Sequence, residues 1–121
     1  MSSAFRTAVE SGDLAAAVAT LAEDVEFRSP AVYRPYQGKE AASLVLSAVF
    51  QVFEDFRYTA ELRDGDREVL NFEARVGPRE IQGADFVRYG SDGLITELTV
   101  MIRPLSGLTA VVEAIGALLA G

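Results

Sequence analysis

From Phe56 to Arg103 the chain alternates apolar and polar residues with a period of two, four times over, and each run but the last ends in a turn-forming cluster. Successive side chains of a strand point to opposite faces, so this pattern calls for a sheet with one face buried. Phe56, Tyr58, Ala60 and Leu62 alternate with Arg57, Thr59, Glu61 and Arg63, and Asp64-Gly65-Asp66 then supplies a turn. Leu70, Phe72, Ala74 and Val76 alternate with Asn71, Glu73 and Arg75 before Gly77-Pro78. Ile81, Gly83, Asp85, Val87 and Tyr89 share a face against Gln82, Ala84, Phe86 and Arg88, and Gly90-Ser91-Asp92-Gly93 closes that run. Leu94, Thr96, Leu98, Val100 and Ile102 alternate with Ile95, Glu97, Thr99, Met101 and Arg103. Four strands joined by short turns predict an antiparallel meander.

Helical spacing surrounds this sheet. Ser2 or Ser3 can cap a first helix with Phe5, Ala8 and Val9 on one stripe; Gly12 ends it, and Asp13 caps a second with Leu14, Val18 and Leu21 on one face. Val25 to Ser29 alternates as a strand that stops at Pro30. Residues 30 to 38 hold two Pro, two Tyr, an Arg and a Gly, the chemistry of an aromatic loop. Leu44, Val45, Ala48, Val49, Val52 and Phe53 recur at three- and four-residue steps, predicting a helix over 39 to 53. Beyond Pro104, Leu108, Val111, Val112, Ile115, Leu118 and Leu119 mark a last amphipathic helix. At 121 residues the expectation is one α+β domain over residues 1–121.

Composition narrows the chemistry. A net charge of −7 with no Lys/Arg run argues against nucleic acid and anionic membranes as partners. There is neither Cys nor His, which removes thiol nucleophiles, disulfides, the usual neutral-pH base and the commonest metal ligands. No metal site and no cofactor are expected, because the Gly-rich turns sit between strands and match no phosphate loop, and the acidic pairs match no calcium loop. The opening MSSAFRTAVESGD has no basic region followed by an apolar core, so no signal peptide is read there and a cytoplasmic location is the expectation.

The order of elements resembles the nuclear transport factor 2-like superfamily and its SnoaL-like members. Local carriers of the resemblance are GDLAAAVATLAEDVEFRSP at residues 12 to 30, Asp85-Phe86-Val87-Arg88-Tyr89, DGLI at Asp92 to Ile95, and VMIRPLSGL at Val100 to Leu108. The resemblance implies a strongly curved antiparallel sheet forming a cone, wrapped by the N-terminal and middle helices around an apolar pocket, with a C-terminal helix. It also implies a homodimer through the outer, convex sheet face, where Ile95, Thr99 and Met101 are more apolar than a solvated surface needs. Members include isomerases, epoxide hydrolases, polyketide cyclases, dehydratases and proteins without catalysis, so fold alone does not choose a reaction. In ketosteroid isomerase a carboxylate base works with a Tyr and a protonated Asp that hold the enolate oxygen. Matching segments puts those positions on Ser29, Phe5 and Asp85 here. Ser29 has no carboxylate and Phe5 no hydroxyl, so only the Asp position is kept.

Asp85 is therefore the candidate catalytic residue. Apolar walls around an inward carboxyl would raise its pKa and poise it as a general acid or base; the competing reading is an Asp at the wet mouth of the pocket, bonded to backbone and water. Tyr33, Arg34 and Tyr36 should border the mouth, Arg34 holding an anionic head group beneath the two Tyr, or else serving a loop pinned by aromatic packing. Phe5, Phe27, Phe53, Phe72 and Leu98 lie on apolar stripes, and together with Ser29 and Val87 they complete the candidate ligand contacts. Glu73, Arg75, Glu97 and Arg103 fall on the opposite face, where ion pairing between strands is expected. The function expected is binding of a small, mostly apolar molecule, with acid-base chemistry of isomerase, cyclase or hydrolase type at Asp85; the alternative is a non-catalytic dimerisation or partner-binding module whose pocket is filled.

Overall fold

The structure, a computed structural model, describes residues 3–120. Its elements follow in the order α1 (Ala4–Glu10), α2 (Leu14–Ala19), β1 (Leu21–Arg28), β2 (Tyr36–Gln37), α3 (Lys39–Val52), β3 (Glu54–Asp64), β4 (Arg67–Val76), β5 (Arg79–Tyr89), β6 (Ile95–Arg103) and α4 (Leu105–Ala120). The strands make one curved, unclosed sheet in the order β2-β1-β6-β5-β4-β3. The predicted meander is present as β3 to β6, every neighbouring pair antiparallel. β1, however, runs parallel to β6, and β2, inside the segment predicted as loop, adds an antiparallel edge to β1.

Both N-terminal caps form. The Arg6 N–H donates to Ser3 Oγ at 3.2 Å and the Ala16 N–H to Asp13 Oδ1 at 3.0 Å, satisfying donors that the first helical turn leaves open. Ser2, the other predicted cap, lies outside the described residues. Leu21 was expected on the second helix and instead opens β1, because Ile95 N–H bonds the Thr20 carbonyl at 2.8 Å and Leu21 pairs with Ile95. Sheet pairing there overrides the helical spacing of the sequence. In α3 the buried stripe is Ala42, Val45, Leu46 and Ala48, while Leu44, expected inside, is exposed.

Two bulges correct the strict alternation read from the sequence. Tyr58 pairs with Phe72 but Ala60 pairs with Asn71, so one residue is extra in β3. A one-residue insertion flips every later side chain, and Glu61 and Arg63 accordingly fall opposite the inward Leu70 and Glu68, while Leu62 is turned out and exposed. In β6 the partner of Arg88 is Glu97 but that of Tyr89 is Ile95. Ile95 therefore leaves the convex face proposed for it and sits fully buried in the core.

The inward face of the sheet carries Phe27, Leu70, Phe72, Ala74, Ile81, Val87 and Leu98, and α1, α2, α3 and α4 bring Phe5, Ala17, Val45 and Val111 against it. Gly83 permits one close approach: a Cβ there would strike the Phe72 ring and stand 2.6 Å from the Met101 carbonyl oxygen, so only glycine lets that ring lie across β5. The outer face holds the expected ion pairs, Arg57 with Glu73 at 2.6 Å, Arg75 with Asp55 at 2.8 Å and Arg88 with Glu97 at 3.4 Å. Arg103 departs from that pattern and hydrogen-bonds Gln82.

Candidate active site

The helices do not fill the bent sheet. A cavity of about 540 Å3 remains between its inward face and α1, α3 and α4. Burial orders its walls from base to mouth. Phe27, Tyr58, Phe72, Asp85 and Leu98 are all buried, whereas Glu10, Ser11, Val32, Gly116 and Leu119 are exposed. The mouth therefore lies where the end of α1, the loop after β1 and the last turns of α4 meet.

Four aromatic rings build one wall. Phe56 stacks on Phe72 with centroids 5.0 Å apart, meets Tyr58 edge-on at 4.9 Å, and stacks on Phe53 at 6.1 Å. Such pairs fix ring positions beyond what burial alone does. The β3 bulge lies just past Tyr58, so Tyr58 is still an inward residue and faces β5 across β4.

There the phenol donates to Asp85 Oδ2 at 3.0 Å, a contact within the buried interior. It is the only hydrogen bond made to this carboxyl by the described residues; Oδ1 accepts none. Burial among apolar walls pushes the Asp85 carboxyl up to about 7, the Tyr58 hydrogen bond pulls it back down, and the negative charge of Glu68 pushes it up again. The same burial, reinforced by Asp85, drives the Tyr58 hydroxyl well above the ordinary phenol range, so Tyr58 stays a neutral donor at every physiological pH.

Behind this pair, away from the cavity, lies a second one. Glu68 is buried on the inward face of β4, where its Oε1 accepts a 2.6 Å hydrogen bond from the Tyr89 hydroxyl and its Oε2 has no partner among the described residues. Burial, followed by that bond to Glu68, pushes the Tyr89 hydroxyl up to about 12. On the other side of Tyr58, Arg6 lies over the ring at 5.6 Å and is held by Glu61 at 2.9 Å and Glu10 at 3.3 Å.

Of the residues singled out in the sequence, Asp85, Phe5, Phe27, Ser29, Tyr36, Phe53, Phe72 and Leu98 line this one cavity. Three do not. Tyr33 is fully exposed and Arg34 is also exposed, both off the wall, because β2 pins Tyr36 to Phe27 and leaves residues 33–35 outside the cavity. Val87 is buried in the core on Asp85's face but beyond the cavity. The sequence reading missed Tyr58 as Asp85's partner, Glu68, and the contribution of α4 through Val111, Val112 and Ile115. The alternation around Tyr58 is a signal that points to it, since it falls on the inward face, where a hydroxyl needs an acceptor.

Among the described residues no group of three or more His, Cys, Asp or Glu side chains could hold a metal ion, and no helix is long and apolar enough to cross a membrane.

A curved, unclosed six-strand sheet packed against four helices is the architecture of the nuclear transport factor 2-like, or cystatin-like, class. The chain belongs to the SnoaL-like domain family, whose model matches residues 3–98. A steroid delta-isomerase from Pseudomonas aeruginosa is similar at 43% identity and a TM-score of 0.90, over 94% of this chain and 85% of that one. An uncharacterized protein with a cystatin-like fold from Silicibacter pomeroyi is similar at 32% identity and a TM-score of 0.92, over 97% of this chain and 83% of that one. A putative ketosteroid isomerase from Kribbella flavida, at 20% identity and a TM-score of 0.68 over 84% of this chain and 73% of that one, shares the fold. No protein of curated function matches the sequence significantly.

Proposed function

We propose that this chain is a proton-transfer enzyme of the isomerase kind, acting on a small, mostly apolar molecule held in the cavity, with Asp85 as the general acid-base group. The observation that carries the reading is Asp85 itself: a carboxyl on the wall of an apolar cavity, poised near 7, with one oxygen tied to Tyr58 and the other unengaged by protein. A group titrating near the working pH is populated both as acceptor and as donor, which a step that takes a proton from one atom and returns it to another requires. Tyr58 holds the carboxyl in place and remains neutral. Ser29 and Tyr36 line the same cavity and bring hydroxyls that can steady a substrate oxygen; Ser29 Oγ accepts N–H bonds from Ala31 and Val32 at 3.2 and 3.4 Å and keeps its own O–H to donate.

The similarity to a steroid delta-isomerase at 43% identity supports the isomerase reading. An open hollow argues against the alternative of a filled, non-catalytic module. We further propose a homodimer through the outer sheet face, supported by exposed Leu62, Phe86 and Met101 there, and a cytoplasmic setting.

The test is proton exchange in deuterated water. Cyclic ketones with acidic C–H groups, incubated with the protein near pH 7, should gain deuterium faster than in buffer, and Asp85→Asn should abolish the gain. Exchange unaffected by Asp85→Asn would refute the assignment.

A further inference from the structure

α4 contains two glycines in opposite circumstances. A Cβ on Gly107 would stand 2.5 Å from Ile81 Cγ2 and 3.1 Å from the Glu80 carbonyl oxygen, so that glycine is what lets the helix lie against β5. A Cβ on Gly116 would meet nothing within 4 Å. Glycine inside a helix is less favourable than alanine, because it loses more backbone freedom and adds no side-chain contact. Gly116 has neither close packing nor a positive φ to explain it.

What Gly116 does have is a place on the cavity wall. Val112 and Leu119, its neighbours four residues before and three after on the same helical face, line the cavity as well, and all three are exposed, which puts them at the mouth. A side chain at 116 would extend over that opening; its absence leaves a notch in the rim.

We propose that Gly116 determines ligand size: the notch lets the apolar end of a ligand run out of the cavity between α4 and α1 while its oxygen end stays at Asp85. The ligand class is then a neutral, elongated molecule with an oxygen function at one end and an apolar body too long for the closed hollow. This rests on the reading of Asp85 as the polar end of a ligand site.

The test uses aryl methyl ketones with one, two and three fused rings, titrated calorimetrically into the wild type, Gly116→Leu and Gly116→Ala. Gly116→Leu should weaken the three-ring ketone about tenfold or more, by crowding a site that had room, and leave the one-ring ketone within about twofold. Gly116→Ala should raise the thermal midpoint by about 2–4 °C, as a helix position without steric need for glycine does. Equal affinities of the wild type and Gly116→Leu for every ketone would overturn the proposal, and so would a lowered midpoint in Gly116→Ala, which would make the glycine structural. If no ketone binds the wild type, the ligand site at Asp85 fails and this inference with it; binding by the wild type that Gly116→Leu leaves unchanged defeats the size role alone.

Discussion

Replacing Asp85 with Asn should stabilise the protein, and only above a definite pH. Asn keeps the size of the side chain and an oxygen for the Tyr58 hydroxyl, but it cannot ionise. In the native protein the Asp85 carboxyl is pushed from 3.8 up to about 7, first of all by burial. Because the folded-state value is raised, the folded protein holds this proton through a pH range in which the unfolded chain has released it. Stability therefore falls as pH rises from about 4 to about 7, and the loss is complete above the folded value. At about 1.4 kcal/mol per tenfold change in proton affinity, that displacement is worth at most about 4 kcal/mol. Below pH 4 the two side chains are both neutral, and wild type and Asp85→Asn should unfold alike. At pH 8.5 the variant should be more stable by about 2–4 kcal/mol. Urea denaturation of both proteins at several pH values, read by tyrosine fluorescence and circular dichroism, measures the difference directly, and other titrating groups cancel in it. A gap that does not widen between pH 4 and pH 7, or a variant less stable at pH 8.5, would refute the claim that an ionised Asp85 is costly in this cavity.

Tyr58→Phe removes the one hydrogen bond that favours the charged carboxyl, so the Asp85 titration should move further up and the pH profile of any exchange activity should move with it; an unchanged profile would mean that the Tyr58–Asp85 contact does not form in solution. Leu62→Glu combined with Met101→Glu places charge on the exposed outer sheet face. Light scattering should show a wild-type dimer converted to monomer, and a wild type that is already monomeric would reject that face as an interface.

The architecture was legible because a buried sheet face writes itself as period two, and the turn residues between the runs left few ways to pair them. What was not legible came from tertiary pairing. Nothing in residues 58–64 marks the extra residue of the bulge between Tyr58 and Ala60, since Ala60 and Leu62 look as inward as Phe56; only registration against Leu70 and Glu68 reverses them. Ile95 was misplaced for the same reason, its inward turn being set by pairing with Leu21 and Tyr89. Asp85 could be found because strand parity and the family resemblance agreed on it. Tyr33 and Arg34 could not be excluded from sequence, because the two-residue strand that holds Tyr36 at the wall is too short to leave a pattern. The contribution of α4 was hidden by its composition, since a helix apolar on most sides does not announce which side meets a cavity.

The most direct measurement is the titration of the Asp85 side-chain carboxyl by carbon-detected NMR, with Asp85→Asn used to assign the signal. A midpoint near 7, displaced when an apolar ketone is added, is the expected result. A midpoint near 4 that ignores the ketone would show an ordinary hydrated carboxylate, and the acid-base role assigned to it would be wrong.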